Sequence, residues 1–168
     1  MLLSLTPILL STFLAPIPRM PRVLPGAALP PVTTTIALAV KTESGETRAT
    51  VAPQPKGEPQ RPIATMKAGE KPQIRWQVRN VDPKKPTPDV ALHFLVHREK
   101  AAGAAIPDQP QKGSLADQVL GTDLPPKGST GGNYNTAIYE PGVYLVEVEL
   151  LTPQGDRRQY VAIDLKVE

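Results

Sequence analysis

The chain has 168 residues, 40% of them hydrophobic, with 21 prolines, 12 glycines and a formal net charge of +3. The length fits one domain. The absence of cysteine excludes a disulfide scaffold, a Cys-ligated zinc site, an iron–sulfur cluster, a thiol nucleophile and a lipidated cysteine anchor.

Residues 1 to 18 carry no charged side chain, and Leu2, Leu3, Leu5, Ile8, Leu9, Leu10, Phe13 and Leu14 make an apolar run. This is the pattern of a secretory leader, although it lacks a basic start and contains Pro7. An uncleaved membrane anchor and a docked helix are the other readings. The best small-x-small site is Gly26-Ala27-Ala28, so residues 1–28 read as leader and the mature chain is expected to begin near Leu29. Membrane contact is expected only through this leader, if it is uncleaved. The expected compartment is extracytoplasmic: periplasmic, secreted or envelope-associated. Pro16, Pro18, Pro21, Pro25, Pro30 and Pro31 forbid a helix interior and predict an extended tether, whose last part is 29–32.

Residues 33–168 are expected to form one β domain. Thr33 to Val40 alternates with the period of a strand. Glu43-Ser44-Gly45-Glu46 is a turn, with Gly45 free to take positive φ, and Arg48 to Ala52 is a short return strand. Pro53, Pro55, Pro59 and Pro62 mark a surface loop or a ragged edge. Gln73 to Arg79 is a half-buried strand: Ile74, Trp76 and Val78 face inward, and Gln73, Arg75, Gln77 and Arg79 face water. Val81 to Asp89 is a loop. Val90 to His97 is a strand with Val90, Leu92, Phe94 and Val96 on one face and Ala91, His93, Leu95 and His97 on the other. A long connection follows Glu99, broken by a helical turn or strand at Leu115 to Leu120. Gly128 to Gly132 reads as a flexible turn and Tyr134 to Tyr139 as a short strand. Glu140-Pro141-Gly142 is a turn. Val143 to Leu151 is a strand, Thr152 to Asp156 a hairpin turn, and Gln159 to Val167 the last strand, with Val161, Ile163, Leu165 and Val167 inward.

Two segments are familiar. Ala68-Gly69-Glu70-Lys71-Pro72 leads into a strand ending at Asn80, and Glu140-Pro141-Gly142-Val143-Tyr144 opens another. They resemble the immunoglobulin-like and fibronectin-type sandwiches of bacterial exported proteins over about Thr65 to Glu168. The resemblance implies seven or eight antiparallel strands, with Val90–His97, Val143–Leu151 and Gln159–Val167 side by side in one sheet. It also implies that Tyr144 bonds back to nearby backbone at its corner. Fold likeness supplies no function.

Chemistry is hard to find. Without Arg19 and Arg22 the net charge falls to +1, and the remaining Lys and Arg are scattered, whereas a nucleic-acid binder clusters them. No nucleic-acid partner is expected. Ser44, Ser114 and Ser129 sit in loops and none lies in a Gly-x-Ser-x-Gly elbow. Glu147 and Glu149 are neighbours on one strand face, better read as a solvated stripe than as a hydrolytic pair. Gly131-Gly132 runs into a strand rather than a helix, which disfavours a phosphate cradle. The chain is therefore not expected to be an enzyme, and no cofactor is expected.

His93 and His97 are the only histidines. Four residues along a strand separate side chains by roughly 13 Å, too far for one ion to bridge. With Glu147 and Glu149 they are the weak metal candidates. If the strands lie as the resemblance implies, His93, Leu95, His97, Leu145, Glu147, Glu149, Asp164 and Lys166 share one exposed face, the candidate partner surface. The expected function is a non-catalytic interaction or structural module with a protein partner in the envelope or a larger assembly. The alternative is a small glycan- or metal-binding sandwich, with Tyr134, Tyr139 and Tyr160 as the glycan platform.

Overall fold

The computed structural model describes residues 32–53, 61–106, 113–151 and 157–168. The leader, the tether up to residue 31, the expected start near Leu29 and the turn at Thr152 to Asp156 lie outside them. The described residues are all-β: nine strands and no helix. They are β1 (Thr34–Thr42), β2 (Gly45–Val51), β3 (Ile63–Met66), β4 (Gln73–Asn80), β5 (Thr87–Glu99), β6 (Ala116–Leu124), β7 (Ser129–Tyr134), β8 (Gly142–Leu151) and β9 (Arg157–Val167). They form two sheets, of order β2-β1-β4-β7 and β3-β9-β8-β5-β6. Pairing is antiparallel throughout except between β3 and β9.

The core between the sheets follows from period-two patterning. Ile36, Leu38 and Val40 on β1 and Ile74, Trp76 and Val78 on β4 meet Leu92, Phe94 and Val96 on β5, with Tyr144, Val146 and Val148 on β8 and Val161, Ile163 and Leu165 on β9. Trp76 stacks on Phe94 across the core, centroids 6.2 Å apart, and Phe94 also meets Tyr134 at 6.1 Å. Burying each such ring contributes about 1.5–3 kcal/mol. The Thr34 hydroxyl donates to Gln159 Oε1 at 2.8 Å, and Gln159 Nε2 donates to the Ala52 carbonyl at 2.8 Å, so the polar groups at the end of the core are satisfied. Tyr144 donates to the Glu140 carbonyl at 2.9 Å, the corner bond expected of it.

Several elements differ from the sequence reading. Strand β3 forms just beyond the proline-rich loop, where its pairing with β9 overrides a sequence too short to show alternation. Of the stretch Leu115 to Leu120, Ala116 onward is strand, the start of β6. The glycine stretch is not a flexible turn: Ser129 onward is β7, paired with β4. Its glycines answer a packing need. A Cβ on Gly131 would lie 2.4 Å from the Trp76 carbonyl oxygen, and one on Gly132 would lie 2.9 Å from the Trp76 indole. After Tyr134 the chain leaves the sheet, so Tyr134 to Tyr139 is not a strand. Ile138 is buried, and its carbonyl accepts from Gly69 N–H at 2.7 Å. Gly45 takes φ +140°, as its turn requires.

Candidate functional site

The strand register assembles the expected face. On the outside of the five-stranded sheet, His93 pairs with Glu149, Leu95 with Glu147 and His97 with Leu145. Leu145 pairs in turn with Asp164, and Val143 with Lys166. The expected exposure is overturned. His93, Leu95, His97, Leu145, Glu147, Glu149 and Asp164 are all buried, and only Lys166 is exposed, where it donates to Glu168 Oε1 at 2.6 Å.

Part of the reason is Arg61, which enters from the segment before β3. Its Nε donates to Asp164 Oδ1 at 2.7 Å, its Nη1 donates to the Ala104 carbonyl at 2.6 Å, and it also pairs with Glu99. Gly103 N–H donates to the other Asp164 oxygen at 2.8 Å. The chain after β5 is thus folded back over the Asp164 end of the face.

The histidines occupy opposite electrostatic environments. His93 lies between two carboxylates, Nδ1 3.1 Å from Glu149 Oε2 and Nε2 2.8 Å from Asp117 Oδ1. The bond to Glu149, aided by Asp117 and opposed by burial, raises its pKa above the ordinary histidine value. His97 is lowered, first by burial and then by Arg61. Among the described residues neither ring nitrogen of His97 makes a hydrogen bond, and its Nε2 lies 4.0 Å from Glu99 Oε1. Burial raises Glu99, against the pull of Arg61.

This arrangement gives each cation two acidic partners. His93 is held between carboxylates, and Arg61 joins Glu99 to Asp164. Among the described residues no group of three or more His, Asp or Glu side chains could hold a metal ion, the weak candidates His93, His97, Glu147 and Glu149 included. The three tyrosines do not form a platform. Tyr134 packs on Phe94 in the core, Tyr160 pairs with Glu149 on the outer face of the five-stranded sheet, and Tyr139 is exposed in the segment after β7.

Sequence reasoning missed Arg61, Glu99 and Asp117. Glu99 continues the alternation His93, Leu95, His97, and that signal could have found it. Arg61, among prolines, gave none. Also missed was the gathering of scattered cations. Lys41 on β1, Arg48 on β2 and Arg75 and Arg79 on β4 all project from the outer face of the four-stranded sheet, all exposed, with Glu46 beside Arg48 and with Glu43 and Glu70 near Lys41.

No family model matches the chain, and no curated protein matches it in sequence. Among solved structures it is similar to the soluble domain of PmoD from Methylocystis sp., with 14% identity, 79% of this chain and 90% of that chain covered, and a TM-score of 0.40. It is also similar to part of the alkylpurine DNA glycosylase AlkC of Pseudomonas fluorescens bound to DNA containing an abasic site analogue, with 15% identity and a TM-score of 0.37. That match covers 62% of this chain and 27% of the glycosylase chain.

Proposed function

We propose that the chain is a non-catalytic interaction or structural module of an exported or envelope-associated protein, built on an immunoglobulin-like sandwich and acting through a protein partner. The observation that carries this is the clamping of His93 between Glu149 and Asp117. A general base needs a nitrogen free to take a proton from substrate. Here both ring nitrogens of the more basic histidine are committed to structural carboxylates. The Tyr144 corner supports the immunoglobulin-like reading, and the apolar leader read from the sequence supports export. Glycan binding is less well supported, because its tyrosines sit in three different environments.

The test is purification of the tagged full chain from the envelope fraction of its native host after mild cross-linking. Recovery of one protein at near-stoichiometric ratio is expected. Recovery of no protein, together with selective binding to a glycan array, would overturn the reading.

A further inference from the structure

The two outer faces of the molecule differ. The histidine face is buried, whereas among the described residues the outer face of the four-stranded sheet presents exposed side chains on all four strands. Its exposed side chains are Lys41, Glu46, Arg48, Thr50, the β4 row Gln73, Arg75, Gln77 and Arg79, and Ser129 and Asn133 on β7. Among the described residues Arg48 is paired with Glu46 and Lys41 has Glu43 and Glu70 near it at one end of the face, whereas Arg75 and Arg79 have no carboxylate bonded to them. Arg48 bonds Glu46 at 2.9 Å, and Glu46 is held below the ordinary glutamate pKa by Arg48 first, with smaller pulls from Arg75 and Lys41. Among the described residues Lys41, Arg75 and Arg79 have no ion-pair partner of their own. The floor is low. Arg48 and Arg75 both register with Ala39, and they border a shallow trough with Ala37, Ala39, Glu46 and Gln77.

We infer that this face docks an extended acidic segment of a protein partner, laid along β4 with carboxylates against Arg75 and Arg79. The inference rests on the interaction-module reading. Arg75 and Arg79 are four residues apart on one strand, roughly 13 Å, which is the spacing of side chains i and i+4 in any extended chain. Acids at those two positions meet the two guanidinium groups, and the residue between them meets Gln77. Guanidinium forks bind carboxylates in bidentate fashion, and the small residues beside β4 let backbone approach. Among the described residues no exposed aromatic side chain projects from this face; Trp76, which borders the trough from below, is buried in the core. Single-stranded nucleic acid uses aromatic stacking and glycans use flat aromatic platforms, so among polyanions an acidic polypeptide fits best.

The test uses the full chain and a fluorescein-labelled decapeptide of alternating Glu and Ser, read by polarisation at low salt. Binding is expected, weakening as salt rises. The double variant Arg75→Glu/Arg79→Glu should weaken it at least about tenfold, with the milder Arg75→Gln/Arg79→Gln in the same direction. Lys84→Glu/Lys85→Glu, an exposed pair in the loop after β4, should leave it unchanged. Circular dichroism confirms that each variant is folded. Equal loss in the Lys84/Lys85 control, no effect at Arg75 and Arg79, or tighter binding to oligo-dT, a heparin fragment or phosphatidylglycerol vesicles would overturn the inference. Arg75→Glu/Arg79→Glu protein that still recovers its partner from the envelope would sink this surface and leave the module reading standing. Wild-type protein that recovers none would sink the module reading itself.

Discussion

His93 and His97 lie four residues apart on the same face of β5, both buried, yet their proton affinities are pushed in opposite directions. His93 sits between Glu149 and Asp117, and its charged form is stabilised. His97 is buried near the Arg61 guanidinium, which outweighs the pull of Glu149, and its charged form is disfavoured.

Opposite pH dependences follow. The folded pKa of His93 is raised, so its stabilisation is complete below the unfolded value, near 6.5, and is lost as pH rises through the folded value. The deficit of His93→Gln should therefore be largest in acid and shrink toward alkaline pH. The folded pKa of His97 is lowered, so the unfolded chain takes up its proton first as pH falls, and His97 costs stability below about 6.5. His97→Gln should gain on the wild type as pH falls. Urea unfolding at pH 5 and pH 8 measures both, and parallel pH profiles for the two variants would contradict the assignment.

Arg61→Met should cost about 3 kcal/mol, because it leaves buried Glu99 and Asp164 beside each other without their shared cation. Arg61→Lys should recover part of this. A loss under 1 kcal/mol in denaturant unfolding would show that the network is not closed as described.

Gly131→Ala and Gly132→Ala should each destabilise by about 1–3 kcal/mol, since the added methyl meets the Trp76 carbonyl or indole. Gly132→Ala should also change Trp76 emission. Trp76 is the only tryptophan, so fluorescence reports the site directly.

Tyr144→Phe keeps the buried ring and loses only the bond to the Glu140 carbonyl, so a loss of about 1 kcal/mol is expected in thermal or urea unfolding. Tyr144→Ala should cost several times more through the cavity it opens.

Much of the architecture was legible because alternation survives wherever a strand buries one face, as in Gln73 to Arg79. The pairing of His93 with Glu149 was legible only through the implied strand order. The burial of that face was not legible. It depends on Arg61 and on the Gly103–Ala104 segment folding back, contacts between residues far apart in sequence. The glycines of β7 misled because glycine marks both turns and close approach, and only the position of Trp76 decides between them. The basic face was invisible because Arg48, Arg75 and Arg79 are brought together by β1, which inserts between β2 and β4.

Arginine-directed chemical footprinting of the full chain, free and in its native complex, tests most directly that this is an interaction module working through its four-stranded sheet. Arg48, Arg75 and Arg79 should react in the free chain and be protected in the complex, while exposed Arg98, paired with Glu140, should be unchanged. Unchanged reactivity of Arg75 and Arg79, or protection confined to Arg98, would contradict it.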